Sequence, residues 1–161
     1  MATLSAFRGA LRFSRSIRSL SLSSLSHQSA KPISMTLSLT VYHNSLCGTC
    51  GKAIPLLEEE AKKKGFQLEE IEFKYNPLTP EQVEQVLTFL GAGQGSDEET
   101  AKVVKSFLRK DAPNATTIEE AKEIVAENPA MMERPIVVNW AAKKAKVCRP
   151  ADLIYEMTKE L

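Results

Sequence analysis

Two cysteines three residues apart, Cys47 and Cys50, stand in the stretch "HNSLCGTC" at 43–50. Paired thiols can exchange with other thiols, hold a metal or attack an electrophile, and the thiolate is the reactive form in each case. An alternating apolar run precedes the stretch and a helical pattern follows it, so the cysteines lie where a strand hands over to a helix. Unsatisfied N–H groups and the macrodipole at a helix N-terminus favour an anion there and lower a thiol's pKa. Cys47 is thus the exposed nucleophile, and Cys50, one turn on, is placed to resolve a mixed disulfide. In this setting "CGTC" reads as a redox motif. A zinc site needs four ligands, and only Cys148, His27 and His43 remain to complete one, so no metal is expected. His43 has two readings: it charges or hydrogen-bonds Cys47, four residues on, or it is an ordinary strand-end histidine. Arg109 in "FLRKD", Arg134 in "ERPIVV" and Arg149 in "CRPADL" read, by residue type alone, as solvated surface. Arg134 differs in one respect: it precedes Pro135 and a buried-looking strand, where a cis X-Pro joint can sit.

The elements that must position these groups follow from periodicity. "TLSLTVYH" alternates Leu37, Leu39 and Val41 against Ser38, Thr40 and Tyr42, a strand with one better-buried face. Ile54, Leu57 and Ala61 then keep helical spacing. Glu58–Lys62, Glu59–Lys63 and Glu60–Lys64 are favourable i,i+4 pairs, and Gly65 is a natural stop. "LEEIEFKY" reads as a second strand, which makes a parallel βαβ unit. Thr79 with Gln82, Ser96 with Glu99 and Thr117 with Glu120 match the capping box and open three periodic runs, with Pro80 at a first helical position. A helical insert over about residues 79–128 is the result, with "GAGQGS" as a flexible joint. "PIVVNW" and "AKVC" return to strands, and a last helix begins at "RPADLIYEM". The order is β-α-β, helical insert, β-β-α, an α/β fold with a four-stranded mixed sheet.

The chain has 161 residues, 43% apolar and 25% charged, with a net charge of +1. These values suit one globular domain and argue against a general nucleic-acid or membrane-surface binder. No run of about 18 apolar residues offers a bilayer span, and three cysteines are no disulfide framework. The average hides an asymmetry, because no acidic residue precedes Glu58. Residues 1–34 are rich in Arg and Ser, with Arg8, Arg12, Arg15 and Arg18 at helical spacing, the composition of an organelle transit peptide. A mitochondrial matrix destination is favoured over a plastid, and a start at Met35 would give a cytosolic product. The domain proper then spans 36–161.

"TVYHNSLCGT", "FLRKDA", "ERPIVV" and "CRPADL", in this order around a helical insert, resemble the glutaredoxin-linked arsenate reductases, a family that includes the Spx-type regulators. The resemblance covers residues 37 to about 158 and implies a thioredoxin-like fold. It implies Cys47 as the nucleophile that attacks arsenate, with His43 four residues before it. Arg109, Arg134 and Arg149 would hold the oxyanion and lower the thiol's pKa, and Pro135 would be the cis proline beside the cysteine. No bound cofactor is implied; glutathione with glutaredoxin, or thioredoxin, would supply the electrons. The chain departs from the reductases at two positions: Gly51 stands where they carry Arg, and Cys50 where they carry Ser. Both departures lean toward a thioredoxin-like thiol–disulfide protein using Cys47 and Cys50. A redox-switched regulator without catalysis is a further alternative.

Overall fold

The structure is a computed structural model that describes residues 37–159 and Leu161. The transit-peptide expectation for 1–34, and His27 within it, lie outside the described residues. The order begins β1 (Ser38–His43), α1 (Gly48–Lys64), β2 (Gln67–Glu72). Three helices follow, α2 (Pro80–Phe89), α3 (Asp97–Phe107) and α4 (Ile118–Glu127), and then β3 (Ile136–Asn139), β4 (Lys144–Val147) and α5 (Ile154–Thr158). The sheet order is β2-β1-β3-β4. β1 runs parallel to β2 and antiparallel to β3, and β3 runs antiparallel to β4. This is the expected mixed four-stranded α/β sheet of the thioredoxin-like type.

Local chemistry accounts for these elements. All three capping boxes close reciprocally, at Thr79–Gln82, Ser96–Glu99 and Thr117–Glu120, each contributing about 1 kcal/mol. Gly65 ends α1 at φ 73°, a conformation that spares glycine the Cβ clash. Two of the three expected α1 ion pairs form, Lys63–Glu59 at 2.8 Å and Lys64–Glu60 at 3.9 Å.

Three expectations need correction. β1 has no exposed face: Leu39, Thr40, Val41 and Tyr42 are all buried. The strand is central, and helices cover both sides of the sheet. Leu39 and Val41 pack with Ala53 and Leu57 of α1 and Ile154 and Met157 of α5, while Tyr42 packs with Val83, Val86, Leu87, Val104 and Phe107 of the insert. The joint after α2 is a bonded turn rather than a loose one. Gly93 N donates to Thr100 Oγ1 at 3.0 Å and Gln94 Nε2 to Thr88 O at 2.9 Å, while Gly91 and Gly93 take positive φ. α1 continues through Pro55, whose missing N–H leaves the carbonyl of Gly51 without its helical donor. Finally, the last helix starts later than its proline, after a 3-10 turn at Ala151–Leu153.

The insert is fastened to the segment that precedes β3. Leu108 and Met132 form an antiparallel bridge. Arg109 N donates to Met131 O, and Glu133 N to Phe107 O, each at 2.8 Å.

Candidate active site

β1 ends at His43, and the turn that follows aims Cys47 out of the sheet. Asn44 builds this turn: its carbonyl accepts from Cys47 N at 3.0 Å and its Oδ1 from Leu46 N at 2.8 Å. Glu72 at the end of β2 holds it from the side, accepting from Ser45 Oγ at 3.0 Å and Ser45 N at 3.3 Å. Neither residue stands out in the sequence, where Asn-Ser reads only as turn composition. Cys47 is the N-cap of α1, extended at φ −90° and ψ 117°. Its thiol makes no cap hydrogen bond by strict geometry, yet the helix N–H groups are close enough to stabilise its charge.

The two thiols of the motif are driven apart. Burial alone would push the Cys47 pKa up. It is outweighed by the Cys50 N–H, the Cys50 thiol, the Thr49 N–H and the positive charge of Arg134, and the thiol ends below its ordinary value. Cys50 is fully buried. Burial, and the Cys47 sulfur that accepts its proton, push it to about 12 against the pull of the Asn44 N–H. The pair is therefore asymmetric: a partly exposed thiol held below its ordinary pKa and a buried one held above it. Cys148, also buried, is pushed to about 12 by burial. All three cysteines are free.

Arg134 stands nearest this pair in effect, since its charge acts on both sulfurs. It lies 5.8 Å over the ring of Phe73, and Phe73 N donates to His43 O at 3.2 Å. Its Nη1 donates to Ala130 O at 2.9 Å and Met132 O at 3.2 Å. Its Nε is buried and meets no acceptor among the described residues. The Arg134–Pro135 bond is cis, as its place before a buried strand allows, and Arg149–Pro150 is cis too, which the sequence did not signal. Tyr42 pairs with Ile136, so Pro135 falls opposite His43 at the end of β1. His43 Nδ1 is likewise buried and unpaired among the described residues, so no hydrogen bond there decides between its two readings.

The other two arginines are engaged by carboxylates. Arg109 grips Asp111 with both teeth of its fork, at 2.6 and 2.9 Å. Asp111 is the main reason its pKa is raised, and the charges of Glu133 and Cys47 add to it. Arg149 Nη1 pairs with Glu133 Oε2 at 3.1 Å, on the wall of a depression of about 490 Å³ lined also by Ser106 and Lys146. Of the three arginines expected at the site, Arg134 and Arg109 interact electrostatically with Cys47, and Arg149 is held by Glu133. Sequence reasoning missed Glu133 and Asp111, although each lies within two residues of an expected arginine.

A cysteine of lowered pKa caps the first helix, a second, buried cysteine stands one turn on, and both lie on a sheet of the thioredoxin-like type. The ArsC family model matches residues 42–157, and this chain belongs to the ArsC family, a family of thiol-dependent oxidoreductases. The chain is 28% identical over 125 residues to the uncharacterised protein YfgD of Escherichia coli K12, across 76% of this chain and 98% of YfgD. The solved arsenate reductase of Vibrio cholerae superposes with a TM-score of 0.58 at 22% identity, covering 75% of this chain and 98% of that one, a likeness of fold.

Proposed function

We propose that this protein reduces a tetrahedral oxyanion, arsenate, with Cys47 as the nucleophile. The observation that supports this best is Arg134: its charge acts on the Cys47 sulfur, and its buried Nε–H has no acceptor among the described residues. A buried donor left unpaired costs about 1–3 kcal/mol, and an oxyanion beside the sulfur would satisfy it. The same cation relieves repulsion between a thiolate and an incoming anion, and the planar guanidinium suits paired oxygens.

The Cys47 thiolate attacks As(V), and one arsenate oxygen leaves as water after taking up protons. A glutathione thiol then transfers to the adduct, and its sulfur and the Cys47 sulfur give up two electrons as they join. Arsenic departs as arsenite, As(III), and glutaredoxin returns Cys47 to the thiol. The test is arsenate reduction with glutathione and glutaredoxin. Turnover is expected from the wild type and from Cys50→Ser, and is expected to vanish in Cys47→Ser and Arg134→Ala. Retention in Arg134→Ala would overturn the oxyanion role.

One observation favours a second reading. The Cys50 thiol stands one helical turn from Cys47, near enough to lower its pKa, so the pair can act on disulfides of proteins or glutathione. In that case arsenate is never reduced, while Cys50→Ser traps a mixed disulfide at Cys47.

A further inference from the structure

Glu133 is a carboxylate set among the three arginines. Its Oε2 accepts from Arg149 Nη1 at 3.1 Å and from the backbone N of Arg134 at 3.4 Å. Its charge also acts on Arg109, and its side chain is only 17% exposed. Its place is fixed by the bond from its own N–H to Phe107 O at 2.8 Å. Asp111 adds a second carboxylate on Arg109. Lys146 on the same wall is already paired with Glu156, so three guanidinium charges face two carboxylates, and a Cys47 thiolate would take up the charge left over. Such a site still offers donors to a tetrahedral anion but provides little attraction for a second negative charge.

Resting on the oxyanion reading above, we infer that the site is charge-selective. It takes a singly charged tetrahedral oxyanion in preference to a doubly charged one, and Glu133 is the residue that sets this selectivity. Glu133 touches no reacting atom in this scheme. It acts by occupying Arg149 and by adding one fixed negative charge near the anion.

The physics gives a distinctive signature. Coulomb energy is proportional to ligand charge, so removing one fixed carboxylate multiplies a dianion's affinity by the square of the factor it gives a monoanion. Perchlorate and sulfate are both tetrahedral and differ by one charge, and comparing each ion with itself across variants cancels its hydration. The readout is protection of Cys47 from alkylation by iodoacetamide as each ion is titrated. Glu133→Gln should raise perchlorate affinity by about tenfold and sulfate affinity by about a hundredfold at low ionic strength. A merely structural role would move both ions alike.

Thermal melting and the alkylation rate without anion show whether Glu133→Gln folds. If it does not, Glu133→Ser carries the same test, because it removes the same charge with a smaller side chain. Equal factors for the two ions, or no change, in the folded variant would overturn the inference. Loss of protection in Arg134→Ala alongside that result would leave the oxyanion reading standing. If neither ion protects Cys47 in any form of the protein, the oxyanion reading falls and the inference falls with it.

Discussion

Gly51 offers the sharpest perturbation, Gly51→Arg. Nothing lies within 4 Å of where its Cβ would stand, the residue is exposed within α1, and it is not among the positive-φ glycines. A helical glycine costs roughly 1 kcal/mol relative to Ala, and Arg is among the better helix formers, so the exchange should gain about 0.8 kcal/mol. A cation in the first turns meets the positive end of the macrodipole, at a cost of about 0.3–1 kcal/mol. The terms nearly cancel, and a net change within about 0.5 kcal/mol means a melting shift of no more than about 4 °C. The effect on anion binding is larger. One turn of helix separates residue 51 from Cys47, and a unit charge roughly 7 Å away at an effective dielectric of 20 attracts a monoanion by about 2 kcal/mol. Solvent screening at this exposed position reduces that to about 1 kcal/mol, or about fivefold in affinity. The assay is anion protection of Cys47 from alkylation at two ionic strengths, beside a melting curve. Unchanged affinity at low salt, in a protein that melts normally, would refute the idea that the start of α1 faces the anion. A melting loss beyond about 8 °C would refute the open space around Gly51.

Iodoacetamide at neutral pH should modify Cys47 alone in the folded protein, as mass spectrometry of the labelled peptides would show, because Cys50 and Cys148 are held at about 12. The Cys47 rate should stay high below the ordinary thiol range and fall only as pH drops through its lowered pKa, and Cys50→Ala should shift that fall to higher pH by removing a donor. Stability should decline in alkali. The folded protein keeps the Cys50 and Cys148 protons that the unfolded chain releases above about pH 8.5, so each thiol costs about 1.4 kcal/mol per pH unit up to about pH 12. Cys148→Ala should remove its share of that slope in urea titrations. Phe107→Ala should cost about 3–5 kcal/mol in the same measurement, since the ring is fully buried among insert and sheet residues. Thr117→Ala should cost about 1 kcal/mol through its capping box and leave Cys47 reactivity unchanged.

The sequence made the scaffold readable because each element carries its own local signal. Alternation marks the strands, three reciprocal caps mark the helical insert, and Gly65 marks a helix end. The nucleophile was readable for the same reason, since position at a strand-to-helix turn is a local property. What surrounds it was not. Glu133 and Arg149 are sixteen residues apart in the chain, and it is the antiparallel pairing of β3 with β4, Ile136 opposite Val147, that brings their segments together. Adjacent opposite charges in "ERP" and "RKD" look like ordinary surface composition, so nothing in the text distinguishes a carboxylate that clamps an arginine from one that faces water. The buried second face of β1 was hidden likewise, because Thr40 and Tyr42 carry polar atoms although helices cover them.

The distance along the chain between Cys47 and its cations also sets a history for every new molecule. Cys47 leaves the ribosome nearly ninety residues before Arg134 and about a hundred before Arg149. At about 5–20 residues per second, the nascent thiol spends several seconds with only the start of α1 to favour its charge. Arg134 adds its share only when the later part of the chain folds back to the helix start. A ribosome-bound or truncated product therefore lacks that contribution, and reactivity at Cys47 rises further once Arg134 is in place.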